Sequence, residues 1–488
     1  MIREPFARLR SRAGVLGLVL AGVALASWAA AQESRNTSDA VSNASSSTQG
    51  GQQKYTAPPA RMYEDDDRWW SPGERATLPN HAYFKNSAGL LGIIHTGGDL
   101  DTTNHPFFTP LGTNGRACVT CHQPADSMGL SLQTIRQRWE ATAGKDPLFA
   151  AFDGSNCPSL PQGVESSHSL LLNHGLFRIG LPWPPKRQDG TRIDPEFTIE
   201  VVRDPTGCNT DPTYGMHSAN PTVSVYRRPR AVANMRYISA SYKMRAPRGR
   251  RFNNKTGEVL AINPDTGERV GLPILSDARQ PTLKAQAIEA AMTHLQATKP
   301  PTPEQLNLIE SFENQLHVAQ SFHNRAGQLD APGGPTALGP LALVNGRPHV
   351  SGNRWATPVF GNFDAWETRQ PDETDEQREF RESVMRGYGL FLERPIWIRD
   401  TAHFNSIGMG NPYKRNCTIC HSLQLMGTDT TPGVLDIGVN NKPWAPDMPD
   451  LPLFKITCKK DSLPHAYLGH EVLTHDPGRA LITGRCAD

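Results

Sequence analysis

A mainly α protein of two lobes with long loops is the fold class this sequence predicts. Three observations lead there: capped segments with helical periodicity recur along the chain, strand signals are few and short, and the same cysteine motif stands once in each half. Composition agrees. The 41 prolines and 42 glycines, with hydrophobic residues at only 37%, favour loops over a large side-chain core.

The N-terminus reads as an export signal. Arg3, Arg8, Arg10 and Arg12 form a basic region, Ala13 to Ala26 an apolar one, and Ala29-Ala30-Ala31 a small-residue cleavage site. A removed signal peptide over residues 1–31 follows, with the mature chain in the periplasm. The apolar run is too short to cross a bilayer, so no transmembrane anchor is expected after cleavage. Residues 32–62 are almost entirely polar and predict a disordered leader. The formal net charge of +2, with no basic run, argues against nucleic acid as a partner.

The helices are marked from their ends. Leu130 to Ala143 places Leu132, Ile135 and Trp139 on one side. Thr282 opens a helix that carries Leu283, Ala287, Ile288, Ala291 and Leu295. Thr302-Pro303-Glu304-Gln305 combines a cap, proline at the first helical position and a capping box, ahead of Leu306, Ile309, Phe312 and Leu316. Thr374 and Gln377 have the same box spacing, and Phe380, Val384 and Phe391 are expected to face inward. Strands are expected only at Thr198–Val202 and Val223–Tyr226. The Gly- and Pro-rich stretch from about Gly327 to Pro348 divides the mature chain into lobes of residues 63–330 and 331–488.

The motif itself is Cys-x-x-Cys-His, at Cys118-Val119-Thr120-Cys121-His122 and at Cys417-Thr418-Ile419-Cys420-His421. This spacing lets two thiols add to the two vinyl groups of haem while the adjacent histidine ligates the iron. Zinc sites rarely put His directly after the second Cys, and thioredoxin-like pairs sit at a strand-to-helix junction. The expected cofactors are therefore two covalently bound haem c groups. Cys118, Cys121, Cys417 and Cys420 attach them, and His122 and His421 are the iron ligands. The fold class becomes two cytochrome c-like haem-binding lobes. Cys157, Cys208, Cys458 and Cys486 remain, an even number in an oxidising compartment. Sequence order favours Cys157–Cys208 and Cys458–Cys486 among three pairings.

Around these motifs the chain resembles the bacterial dihaem cytochrome c peroxidase superfamily, which includes MauG-type enzymes and, more distantly, rubber oxygenases. The resemblance is carried by Phe107-Phe108 and Asn114-Gly115-Arg116-Ala117 before Cys118, and by Arg227-Arg228-Pro229 through Asn234 to Tyr237. Asp277-Ala278-Arg279 through Leu283 to Gln286 continues it, followed by Arg386-Gly387, Leu390-Phe391, Asp436-Ile437-Gly438 and Phe454-Lys455. It implies an oxidoreductase that reduces hydrogen peroxide at the first haem. Electrons would come from a small periplasmic donor, a monohaem cytochrome c or a cupredoxin, through the second haem. Alternative functions are an oxygenase or MauG-like oxidant using O2 or peroxide on an organic or protein substrate, and a non-enzymatic dihaem electron carrier. The resemblance also implies calcium between the haems, for which no acidic loop motif speaks.

Three departures shape the expected site. Ser276 stands where the family usually has an inter-haem Trp. Gln296 stands where peroxidases carry an acid-base Glu, ten residues after Gln286, and His294 lies beside it with a side chain suited to proton transfer. Gln286 would orient the oxidant, and His294, or else Gln296, would move the proton. Finally, related chains continue past a segment like Asp476-Pro477-Gly478-Arg479 to a residue that closes the second haem. A truncated chain is expected, with Met409, Met426 or His403 as the alternative ligands.

Overall fold

The computed structural model describes residues 55–486, except 65–68, 76, 188, 239–243, 246–257, 260–273, 278, 281, 336–337, 346–362, 400–411, 420, 422–437 and 466. The expected signal peptide, most of the expected leader, Cys420, His403, Met409 and Met426 thus lie outside the described residues. Residues 55–62, assigned to the leader, are described. Tyr55 there donates its hydroxyl to Asn80 at 2.6 Å, and Arg61–Tyr63 is a strand.

The fold class is mixed α/β, which corrects the mainly α expectation. Of the described residues, 27% are helical and 22% lie in strands. A five-stranded sheet runs in the order Arg61–Tyr63, His81–Asn86, Gly89–His95, Leu316–His323, Gly327–Gln328. Its first pair is parallel and the rest antiparallel, with His317 opposite Ile94. The physical reason for the error is local. Gly89–His95 reads Gly-Leu-Leu-Gly-Ile-Ile-His, a continuous apolar run buried over its last five residues, which carries no period-two alternation.

The helices follow the caps. Leu132–Thr142 is capped by Ser131, Leu283–Thr293 by Thr282, Pro303–Gln315 by the Thr302/Gln305 box and Asp375–Glu393 by the Thr374/Gln377 box. Leu316, placed on a helix face by its periodicity, instead starts the strand that follows at once. Phe380, Val384 and Phe391 are half-buried rather than inward, and Arg381 is the buried residue of that long helix.

Both expected strands exist, as Phe197–Arg203 and Thr222–Arg227. The first pairs with Leu453–Cys458, which pairs in turn with Glu471–Thr474. One sheet therefore joins segments from both expected lobes, over a shared core of Leu181, Phe197, Val225, Phe454, Ile456 and Leu481. The disulfides are Cys157–Cys208 and Cys458–Cys486, with Cα separations of 5.2 and 5.8 Å, both as sequence order favours. Among the described residues no helix is long and apolar enough to cross a membrane.

Candidate functional site

The first Cys-x-x-Cys-His motif is built into the largest apolar core. Cys118–Thr120 forms a single 3₁₀ turn, and His122 donates its backbone N–H to the Cys118 carbonyl at 3.0 Å. The Val119 N–H is tied to the Phe107 carbonyl at 3.0 Å, beside the packed rings of Phe107, Phe108 and Phe312. Gln123 is fully buried. Its amide accepts from the Trp70 N–H at 2.6 Å and donates to the Trp70 carbonyl at 3.0 Å. Arg138, held by Asp146 at 2.6 Å, donates to the Thr120 carbonyl, also at 2.6 Å. Every one of these buried polar groups has a partner, so the turn is fixed from several sides.

This turn opens onto a pocket enclosing about 1370 Å³ of empty space, its mouth included. Cys118, Cys121 and His122 share the lining with Gln286, His294 and Ser276. Residues separated by more than 150 positions in sequence thus meet on one cavity. Gly112 permits the close approach. The loop before the motif runs so near the end of the Leu283–Thr293 helix that a Cβ on Gly112 would overlap the Leu295 carbonyl. Asn114 then donates to the His294 carbonyl at 2.8 Å. Gln296, by contrast, is exposed, adopts a left-handed backbone with φ of +53° and does not line the pocket.

Electrostatics divide the cavity walls. Asp153 is buried and paired both with Arg116, itself 1% exposed, and with His294, whose Nδ1 lies 2.6 Å away. Burial disfavours the Asp153 charge, but the Arg116 guanidinium and the His294 hydrogen bond hold its pKa below the usual carboxylate value. Because an ionised Asp153 can only accept, His294 carries its proton on Nδ1 and turns Nε2 away from the pair. Arg116 is anchored further by donating to the Pro147 and Leu148 carbonyls, each at 2.7 Å.

His122 has the complementary arrangement. Its Nδ1 lies 3.1 Å from the Met128 carbonyl, which can only accept, so Nε2 keeps its lone pair. Burial lowers its pKa to about 4, keeping the ring neutral. Burial also raises Cys118 to about 12 and Cys121 to about 11. A dithiol redox pair or a zinc site needs thiolates, and neither thiol is prepared to be one. Among the described residues no group of three or more His, Cys, Asp or Glu could hold a metal ion.

These features fit a covalently held haem. Two neutral thiols and a histidine with a free Nε2 share one wall of an apolar cavity. Arg228 and Arg230 line the same cavity and offer cations to carboxylates of an occupant.

The second motif is described only in part. Cys417–Ile419 is again a 3₁₀ turn, His421 donates its backbone N–H to the Cys417 carbonyl at 3.0 Å, and the rings of Phe391 and His421 lie 6.0 Å apart.

Two pocket residues escaped the sequence reading. Asp153 lies in an irregular turn, and no pattern marks it. Glu313 carried a signal: on the Pro303–Gln315 helix it follows Ile309 by four positions, so a carboxyl occupies the apolar face. Comparison with family models, curated proteins and solved structures gave no match.

Proposed function

We propose that the chain is a periplasmic dihaem c-type oxidoreductase that reduces hydrogen peroxide with electrons from a small redox protein. The observation that carries this reading is the shared cavity: Cys118, Cys121 and His122 line it together with Gln286 and His294. A haem bound there supplies the redox chemistry and the iron at which an oxidant binds. The thiols of Cys118 and Cys121 would attach it, and Nε2 of His122 would hold its iron. Met128 fixes the His122 ring through Nδ1, and such an outer hydrogen bond sets ligand orientation.

In the same cavity, Gln286 would offer an amide to orient the oxidant. His294 moves a proton at Nε2 while Asp153 holds Nδ1–H, the same division between acid-base nitrogen and orienting carboxylate that recurs in many active sites. Ile274, Leu275, Leu283 and Ile309 give the same cavity an apolar lining. Cys417, Cys420 and His421 would hold the second haem, which would supply one-electron exchange with the donor.

A second reading, an oxygenase acting on an organic substrate, is favoured by that apolar lining and by Gln296 lying outside the cavity. Expression in a host able to mature c-type cytochromes separates the two. Peroxide turnover with a reduced cytochrome c as donor supports the first. Stable O2 binding by the reduced protein with negligible peroxide turnover supports the second.

A further inference from the structure

The pocket holds a second carboxyl for which the reaction has so far given no use. Among the described residues that line it, the acids are Asp153 and Glu313. Asp153 is committed to Arg116 and His294. Glu313 is 3% exposed, and its Oε2 is buried with no hydrogen-bond partner among the described residues. Its helix neighbours Ile309 and Phe312 are buried, and Leu283, Ala287 and Met235 line the same wall from adjacent helices. A buried carboxyl left unpaired is costly, so it stays neutral unless a partner enters.

The charged and titratable groups on the elements packed against it are Glu310 on its own helix, Lys284 and Glu289 on Leu283–Thr293, Arg236 on Met235–Ile238 and His95 on Gly89–His95. Cys118, also on the cavity lining, senses the Glu313 charge. Lys284 is turned to Glu310 at 3.3 Å and Arg279 holds Glu289 at 2.6 Å. Burial first, and the Glu310 carboxylate second, raise the Glu313 pKa to about 8. The side chain is thus a proton donor at neutral pH with nothing in the described chain to receive its proton.

We propose that Glu313 is a catalytic acid of this pocket, giving its carboxyl proton to the departing oxygen of bound peroxide and recovering it from solvent. The role expected of residue 296, where the chain has Gln, is filled from the neighbouring helix. The proposal rests on the peroxide-reducing reading, and the balance demands such a group. Breaking the O–O bond of hydrogen peroxide to give two waters consumes two electrons, from the donor protein, and two protons. Glu313 supplies one, and the other enters from solvent and is passed on by Nε2 of His294.

The test compares wild type, E313Q and E313D as full-length, haem-loaded protein. Glutamine keeps the shape and removes the proton. In E313Q we expect kcat for peroxide reduction to fall by about 100-fold or more, with the resting haem spectrum unchanged and partial recovery in E313D. Infrared spectroscopy should show a carboxylic acid C=O stretch that disappears in E313Q and fades in wild type as pH rises through about 8. E313Q turning over like wild type, or an acid band indifferent to the substitution, overturns the proposal. If E313Q does not load haem, E313D decides it: wild-type kcat with an unchanged kcat–pH profile would overturn the assignment. Haem-loaded wild type that reduces no peroxide sinks the peroxide-reducing reading itself, and the role of Glu313 with it.

Discussion

The two Cys-x-x-Cys-His turns have the same local geometry and different surroundings. Around Cys118 the chain supplies a packed aromatic wall, a buried Gln123, two buried Arg–Asp pairs and a cavity with opposed proton-handling groups. Around Cys417 the 19-residue Asp375–Glu393 helix buries Arg381, and Leu390, Ile396 and Trp397 are 52%, 45% and 62% exposed. On the proposed reading, the motif specifies attachment while its surroundings, among the described residues, specify chemistry. Electron transfer needs a haem held near the surface; peroxide reduction needs a dry cavity with protons in reserve.

The strongest way to break this comparison is to remove one attachment site at a time. C118A/C121A should lose one haem and all peroxide turnover above background. C417A/C420A should lose the other haem and cut donor-dependent turnover, while the first haem still changes its spectrum when peroxide is added. Equal effects of the two double variants on that spectral change would erase the distinction.

Within the pocket, H294A should lower kcat by about 100-fold with haem loading intact, since a general acid-base group is worth that much or more. Asp153→Ala acts on stability as well. It leaves the Arg116 guanidinium buried without its carboxylate, and removing one partner of such a pair costs about 3–5 kcal/mol, measurable by urea unfolding of the haem-free chain. Trp397→Ser, on the exposed side, should change the same midpoint by no more than about 0.5 kcal/mol.

The pH dependence of stability should show both walls of the cavity. His105 and His122 are held neutral by burial, each with a pKa lowered to about 4. The unfolded chain takes up those protons first, so stability is lost as pH falls from about 6.5 towards 4. Glu313 has the opposite sign. Its folded pKa, raised to about 8, keeps a proton that the unfolded chain releases near 4.5. That contribution is present at acid pH and is lost as pH rises from about 4.5 to 8, on the order of 1 kcal/mol per pH unit. E313Q should remove the loss between about 4.5 and 8, and so steepen the fall on acidification below about 6.5, where the two contributions oppose each other.

How much of this was legible depends on which physical code carried it. Caps are local and side-chain specific, so Thr282, Thr302 and Thr374 marked their helices to within a residue. Strands buried on both faces leave no alternation, which hid Gly89–His95, while Leu316 at the head of its partner Leu316–His323 fell on the period of the preceding helix. The pairing of Phe197–Arg203 with Leu453–Cys458 spans some 250 residues, and nothing local in either segment encodes it. In the pocket, Cys118, Cys121, His122, Gln286 and His294 were found from motif and resemblance. Asp153 was not, since a lone acid in a turn has many readings. Glu313 was legible as a carboxyl on an apolar helix face, a conflict between residue and environment that often marks function.

The central claim is that both motifs carry haem and only the first works on peroxide. Its most direct test measures covalent haem per chain, by haemochrome absorbance after denaturation, together with peroxide turnover in wild type, C118A/C121A and C417A/C420A. The account predicts two haems in wild type and one in each variant, with the peroxide-induced spectral change abolished only in C118A/C121A. Haem-free wild type from a cytochrome c-maturing host, or C118A/C121A that still reduces peroxide, would contradict it.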